Sequence, residues 1–98
     1  VTVREFHFPR LRSVEAGNGA MATIPDLVDE MGARRVAVVT SPSVGALEAV
    51  RRTVDALGAR VVLVDTTTTP HPTADGAAEL SREVAGSRAE AVIGIGGG

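Results

Sequence analysis

The chain has no cysteine, no tryptophan and no tyrosine among its 98 residues. Without Cys there are no disulfides, thiolate metal ligands or Cys nucleophiles, which fits a reducing compartment. The only aromatic residues are two Phe, so there is no stacking platform for single-stranded nucleic acid. Lysine is missing too: all ten basic residues are Arg. That excludes the Gly-Lys-Ser/Thr of a P-loop and any lysine Schiff base. It leaves His7, His71 and the 12 carboxylates as acid–base candidates. The formal net charge is −2, with no like-charge block, so no basic footprint for nucleic acid is visible. No apolar run approaches the length of a membrane span, and no signal-peptide core is visible at the N-terminus. The expectation is a soluble cytoplasmic protein with neither nucleic-acid nor membrane partners.

What is present is aliphatic. Hydrophobic residues make up 44% of the chain, enough for the core of one small domain. Three continuous β-branched runs, Val36–Val39, Val61–Val64 and Ala91–Ile93, are too short for helices. They predict strands buried on both faces. Between the first two, Val44, Leu47, Val50, Val54 and Leu57 recur at helical spacing. Ser41 is placed to cap that helix, Pro42 to open it and Gly58 to end it. A further helix is expected over Thr73–Ala85, capped by Thr73 and terminated at Gly86. An earlier one should end at Met31, with Ile24, Leu27, Val28 and Met31 facing inward. Ahead of it, Val3 to Phe8 and Leu11 to Ala16 read as two extended segments joined near Pro9, with pairing as a hairpin the expectation. The order β-β-α-β-α-β-α-β predicts parallel pairing with right-handed crossovers. The fold class is α/β: a Rossmann-like, mostly parallel sheet with flanking helices, in one domain spanning 1–98.

The last apolar run leads directly into Gly96-Gly97-Gly98. A doubly wound sheet needs helices on both faces, so part of a Val/Ile face is expected to stay wet, at ~25 cal/mol per Å² of apolar surface. The natural polypeptide is therefore expected to continue. The competing reading is a complete small domain with a glycine tail.

Three segments carry candidate chemistry, all expected at the carboxyl edge of the sheet, where ligands of such folds bind. Gly94-Ile95-Gly96-Gly97-Gly98 lets the backbone approach a ligand and lets successive N–H groups point at an anion. A glycine cluster is otherwise a flexible turn. Thr40-Ser41-Pro42-Ser43 offers neutral hydroxyls, although Ser41 is equally a helix cap. His71, between Pro70 and Pro72, is held in a stiff extended segment and is otherwise an unremarked loop His. With no second ligand at zinc-like spacing it makes no metal site by itself. Asp65 ends a strand like the phosphoacceptor of a receiver domain, but the lysine such a domain needs is absent. The candidate cofactor contacts are thus Gly96, Gly97, Gly98, Ser41, Thr40 and His71, with no catalytic or metal-binding residue among them.

Taken together, Phe6-His7-Phe8-Pro9, Glu15-Ala16-Gly17-Asn18-Gly19, Gly32 through Thr40, Pro70-His71-Pro72-Thr73 and Ala91 through Gly98 resemble the N-terminal domain of the iron-dependent alcohol dehydrogenase family. That family belongs to a superfamily with dehydroquinate synthase. The likeness covers nearly the whole chain. Its most specific part is the ending, where the family reads Gly-Gly-Gly-Ser. The resemblance implies an NAD- or NADP-dependent oxidoreductase acting on a small alcohol or carbonyl substrate, and it suggests a homodimer. It also implies a divalent metal, iron or zinc, held by Asp and His ligands of a helical C-terminal domain that this chain lacks. The 98 residues alone are expected to hold the dinucleotide without performing the reaction. A dehydroquinate-synthase-like cyclase and a stand-alone binding module are the alternatives. Ser41 stands where many relatives have Asp, which implies tolerance of the NADP 2′-phosphate, and His71 stands where many have Asn.

Overall fold

The computed structural model describes residues 19–67 and 73–96. The two N-terminal extended segments and the Pro70-His71-Pro72 segment fall outside them. A 3-10 turn, Ala20–Thr23, leads into α1 (Ile24–Met31), followed by β1 (Val36–Thr40), α2 (Pro42–Gly45) and α3 (Glu48–Leu57). A second 3-10 turn, Gly58–Arg60, precedes β2 (Val61–Asp65), then α4 (Ala74–Ser87) and β3 (Ala91–Ile95). The strands form one parallel sheet in the order β2-β1-β3. The fold is α/β with a parallel sheet flanked by helices, as a Rossmann-like fragment requires.

Local chemistry accounts for the element ends. Ser41 takes an extended backbone and its hydroxyl accepts from the Val44 amide at 3.3 Å, with Pro42 at the first helical position. Thr73 does the same for α4, accepting from Gly76 N at 3.0 Å. Each cap satisfies an amide that the first helical turn cannot. Gly32 ends α1 in the left-handed region at φ 71°, donating back to Asp29 and Val28 carbonyls. At the same amino edge of the sheet, Arg35 reaches the end of α4. Its guanidinium donates to the Ser87 and Arg88 carbonyls at 2.7 and 3.2 Å. Arg60 plays a similar part for α3, donating to the Leu57 carbonyl at 3.0 Å while pairing with Asp29 of α1.

The core lies on one face of the sheet. Val28 of α1, Ala33, Val36 of β1 and Leu57 of α3 are buried together, with Ile24, Val61, Ala91 and Ile93 packed around them. Val36 and Ala91 are register partners, as are Val39 and Asp65. Successive side chains alternate across a strand, so Asp65 faces the opposite side, where α4 packs on β2. The helices thus form two outer layers.

Several details differ from the sequence expectation. Among the described residues only β1, the central strand of the three, is buried on both faces. Val64 of β2 and Val92 of β3, each paired on one edge, are exposed, Val92 at 57%. The single helix expected from Val44 to Leu57 is two: Leu47 is extended (φ −67°, ψ 140°) and leaves the stripe, exposed. Met31, at the last position of α1, is exposed rather than inward. α4 runs past Gly86 to Ser87, and Arg88 takes the left-handed cap at φ 59°. No helix among the described residues is long and apolar enough to cross a membrane.

Candidate functional site

The sheet order creates the site. From β1 the chain crosses to β2 on one side, then returns past β1 to β3 on the other. The direction of winding thus reverses about β1, and the crevice beyond the carboxyl ends of β1 and β3 is the candidate switch point, the kind of place where open α/β sheets bind ligands. Its two walls begin at Thr40 and Ile95, which are register partners. Gly96 follows on one side and Ser41 on the other.

Gly94 and Gly96 are both exposed. Neither has a positive φ, and a Cβ built on either would meet no heavy atom within 4 Å. Neither backbone conformation nor packing among the described residues asks for glycine there. Bare glycine keeps clear a space into which the backbone faces at the end of β3. A cavity of about 340 Å³ adjoins it, lined by Gly94, Ile95, Gly96, Met21, Ile24 and Leu27. A smaller one of about 210 Å³ lies at the ends of β1 and β2, against Thr40, Gly45, Val64 and Thr66. Another cavity, about 350 Å³, lies between the Ala20–Thr23 turn, α1 and α3. Met21, Ala22, Pro25, Ala49 and Ala56 make it mostly apolar, with Arg52 and Thr53 its polar lining.

The expected contact residues take different places. Ser41 sits at the crevice, half-buried, with its hydroxyl oxygen held by the Val44 amide and the Ser43 hydroxyl 3.5 Å away. Thr40 is 2% exposed, and its hydroxyl donates to the Ile95 carbonyl at 2.9 Å. It bridges the two walls instead of pointing between them. Gly96 lies at the end of β3; Gly97, Gly98 and His71 fall outside the described residues.

At the end of β2, Asp65 is buried and accepts from the Thr67 hydroxyl at 2.7 Å and the Thr67 amide at 2.8 Å. Those donors, the hydroxyl foremost, hold its carboxyl below the usual carboxylate range. Glu83 of α4 shares a small cavity with Asp65, Thr67 and Glu79. Its carboxyl is raised, chiefly by sharing a hydrogen bond with Asp65. Asp65 thus shapes the turn after β2, a role the sequence concealed because an Asx turn depends on the backbone two residues on. Among the described residues no group of three or more His, Cys, Asp or Glu side chains is placed to hold a metal ion.

A crystal structure from Ralstonia eutropha JMP134 that bears the name of an alcohol dehydrogenase shares this fold, with a TM-score of 0.72 and 22% identity. The match covers 93% of this chain and 25% of that one, so the chain spans about a quarter of its length. No curated protein gave a match. The family described as iron-containing alcohol dehydrogenase matches residues 12–98, nearly the whole chain including the Gly segment at the switch point. The chain belongs to the iron-containing alcohol dehydrogenase family.

Proposed function

We propose that this chain holds the dinucleotide of an NAD(P)-dependent, metal-dependent alcohol dehydrogenase or reductase that interconverts an alcohol with an aldehyde or ketone. One observation carries the reading. Gly96 stands at the β1/β3 switch point, where neither φ nor packing among the described residues requires a glycine, and faces open space. A pyrophosphate needs that bare backbone, because any Cβ would hold its oxygens away from the amides. Gly97 and Gly98 extend the same segment in sequence. The family match favours this reading over a cyclase or a stand-alone module.

The dinucleotide, when bound, donates or accepts the hydride. This chain's share is to seat and orient it: the glycine backbone for the phosphates, Ser41 and Ser43 for hydroxyl contacts beyond β1. The described residues do not fit a metal site, so no step of the chemistry is assigned to them, and residues 1–98 alone are proposed to be inactive. No carboxylate stands between Thr40 and Leu47, so nothing on that segment repels a 2′-phosphate. NADP is proposed to be accepted alongside NAD.

Hydrogen exchange of the full-length protein with and without NADH tests the site. Protection is expected in peptides covering residues 40–46 and 91–98, with no change at the amino edge around Gly32–Arg35. Protection confined to the amino edge, or to the apolar cavity between α1 and α3, would place the ligand elsewhere. Comparing kcat/KM for the two cofactors tests the NADP statement, and a strong NAD preference would sink it.

A further inference from the structure

We infer that Arg51 and Asp55 of α3 read the adenine base of the dinucleotide, in the cavity beyond the ends of β1 and β2. This rests on the dinucleotide reading above. That cavity, about 210 Å³, is walled by Val50 and Val54 of α3 and, across from them, by Val64 and Thr66. Val64 stays 46% exposed, although its register partner Val38 is only 1% exposed. Among the described residues an apolar slot is thus left open between helix and sheet. It lies roughly two strand spacings, about 10 Å, from Gly96 across β1. A dinucleotide with its phosphates at Gly96 would lay its ribose over the end of β1, beside Ser41 and Ser43. Its flat base then reaches the slot.

The rim of the slot carries the selectivity. Arg51 and Asp55 both line it, one helical turn apart on the same face of α3. Among the described residues neither side chain has a hydrogen-bond or ion-pair partner, whereas Arg52 is paired with Glu48. One edge of adenine presents an amine donor at N6 beside an acceptor at N7. A carboxylate only accepts and a guanidinium only donates, so Asp55 accepts from N6 while Arg51 donates to N7. Guanine and hypoxanthine carry an oxygen in place of that amine. Facing Asp55, the oxygen would set acceptor against acceptor and leave the carboxylate without its donor. The charged pair therefore selects adenine, where the valines alone would take any purine.

The experiment titrates full-length wild type, Asp55→Asn and Val64→Trp with NADH and with reduced nicotinamide hypoxanthine dinucleotide, reading Kd by fluorescence and Tm beside it. Wild type should bind NADH at least about tenfold more tightly than the hypoxanthine analogue. Asp55→Asn should narrow that ratio to within about threefold, because an amide both donates and accepts. Its Tm should not move, since position 55 is exposed. Val64→Trp fills the slot and should raise the NADH Kd at least about tenfold. Equal wild-type affinity for the two dinucleotides, or a preference that Asp55→Asn leaves intact, overturns the inference while the cofactor reading stands. So does a folded Val64→Trp protein that binds NADH as wild type does. Should Val64→Trp not fold, the Asp55→Asn ratio decides. Wild type without affinity for NADH or NADPH refutes the cofactor reading and this inference with it.

Discussion

Replacing Gly45 with Ala should destabilise the protein through one residue, Thr40. The added Cβ would stand 3.1 Å from the methyl carbons of both Thr40 and Thr66, and 3.7 Å from Thr66 Cβ. Ordinary carbon contacts lie at about 3.5–4.0 Å, so both methyls must give way by several tenths of an ångström. Thr66 is exposed and can rotate. Thr40 is buried and tied to the Ile95 carbonyl, so its methyl moves only if that bond is strained. Overpacking of this kind costs about 1–3 kcal/mol. The stiffer unfolded chain of an Ala variant returns about 0.4–1 kcal/mol. The net expectation is a loss of about 1–2 kcal/mol, seen as a fall in Tm of several degrees in the full-length protein. Calorimetry of Gly45→Ala, Thr40→Ser and the double variant measures it. The double variant should recover most of the Gly45→Ala loss, because contacting residues couple. A neutral Gly45→Ala variant, or equal recovery by Thr66→Ser, would refute the claim that Thr40 is the rigid partner.

Two further outcomes follow from the edges of the sheet. The lowered Asp65 pKa contributes stability that is present above the ordinary carboxylate range and lost as pH falls through the folded value. Glu83 has the opposite sign: its raised pKa favours folding below the ordinary range, and that contribution is lost as pH rises through the folded value. Glu83→Gln should therefore raise Tm at pH 7, with the gain fading toward about pH 4; a gain independent of pH would show that charge is not the cause. Arg88→Gly should stabilise the protein slightly. A left-handed non-glycine costs about 1–2 kcal/mol and glycine's greater unfolded freedom offsets about 0.5–1 kcal/mol. The Arg35 bond is kept because it goes to the Arg88 backbone carbonyl. A drop in Tm would show that the Arg88 side chain contributes more than its backbone strain costs.

The strands were readable because β-branched runs are a local signal, although the runs end before Thr40, Asp65 and Ile95, the residues that line the functional edge. A polar or glycine residue closing a strand looks like a loop until its partner across the sheet is known. Ser41 and Thr73 were readable as caps for the same reason that the strands were: the cap and its amide are three residues apart. The order β2-β1-β3 was not readable, since alternation of strand and helix dictates parallel pairing but not which side each strand joins. The switch point, and with it the meaning of Gly96, depends on that order. Thr40 donates to a carbonyl 55 residues away, and Arg35 caps a helix 52 and 53 residues away. Neither bond leaves a trace in local spacing, and the sequence offered Thr40 only as a candidate cofactor contact. Leu47 left its helical stripe because Gly45 and the following turn break the helix, which periodicity alone passes over.

The most direct test of the central claim is NADH binding to the full-length Gly96→Val variant beside wild type. Among the described residues, valine at this position meets no positive φ and no neighbour within 4 Å. Stability should therefore stay within about 0.5 kcal/mol of wild type, as for an open surface site. The side chain would occupy the space assigned to the pyrophosphate, and the NADH Kd should rise at least about tenfold. A Gly96→Val protein that folds as wild type and binds NADH equally well would contradict the account.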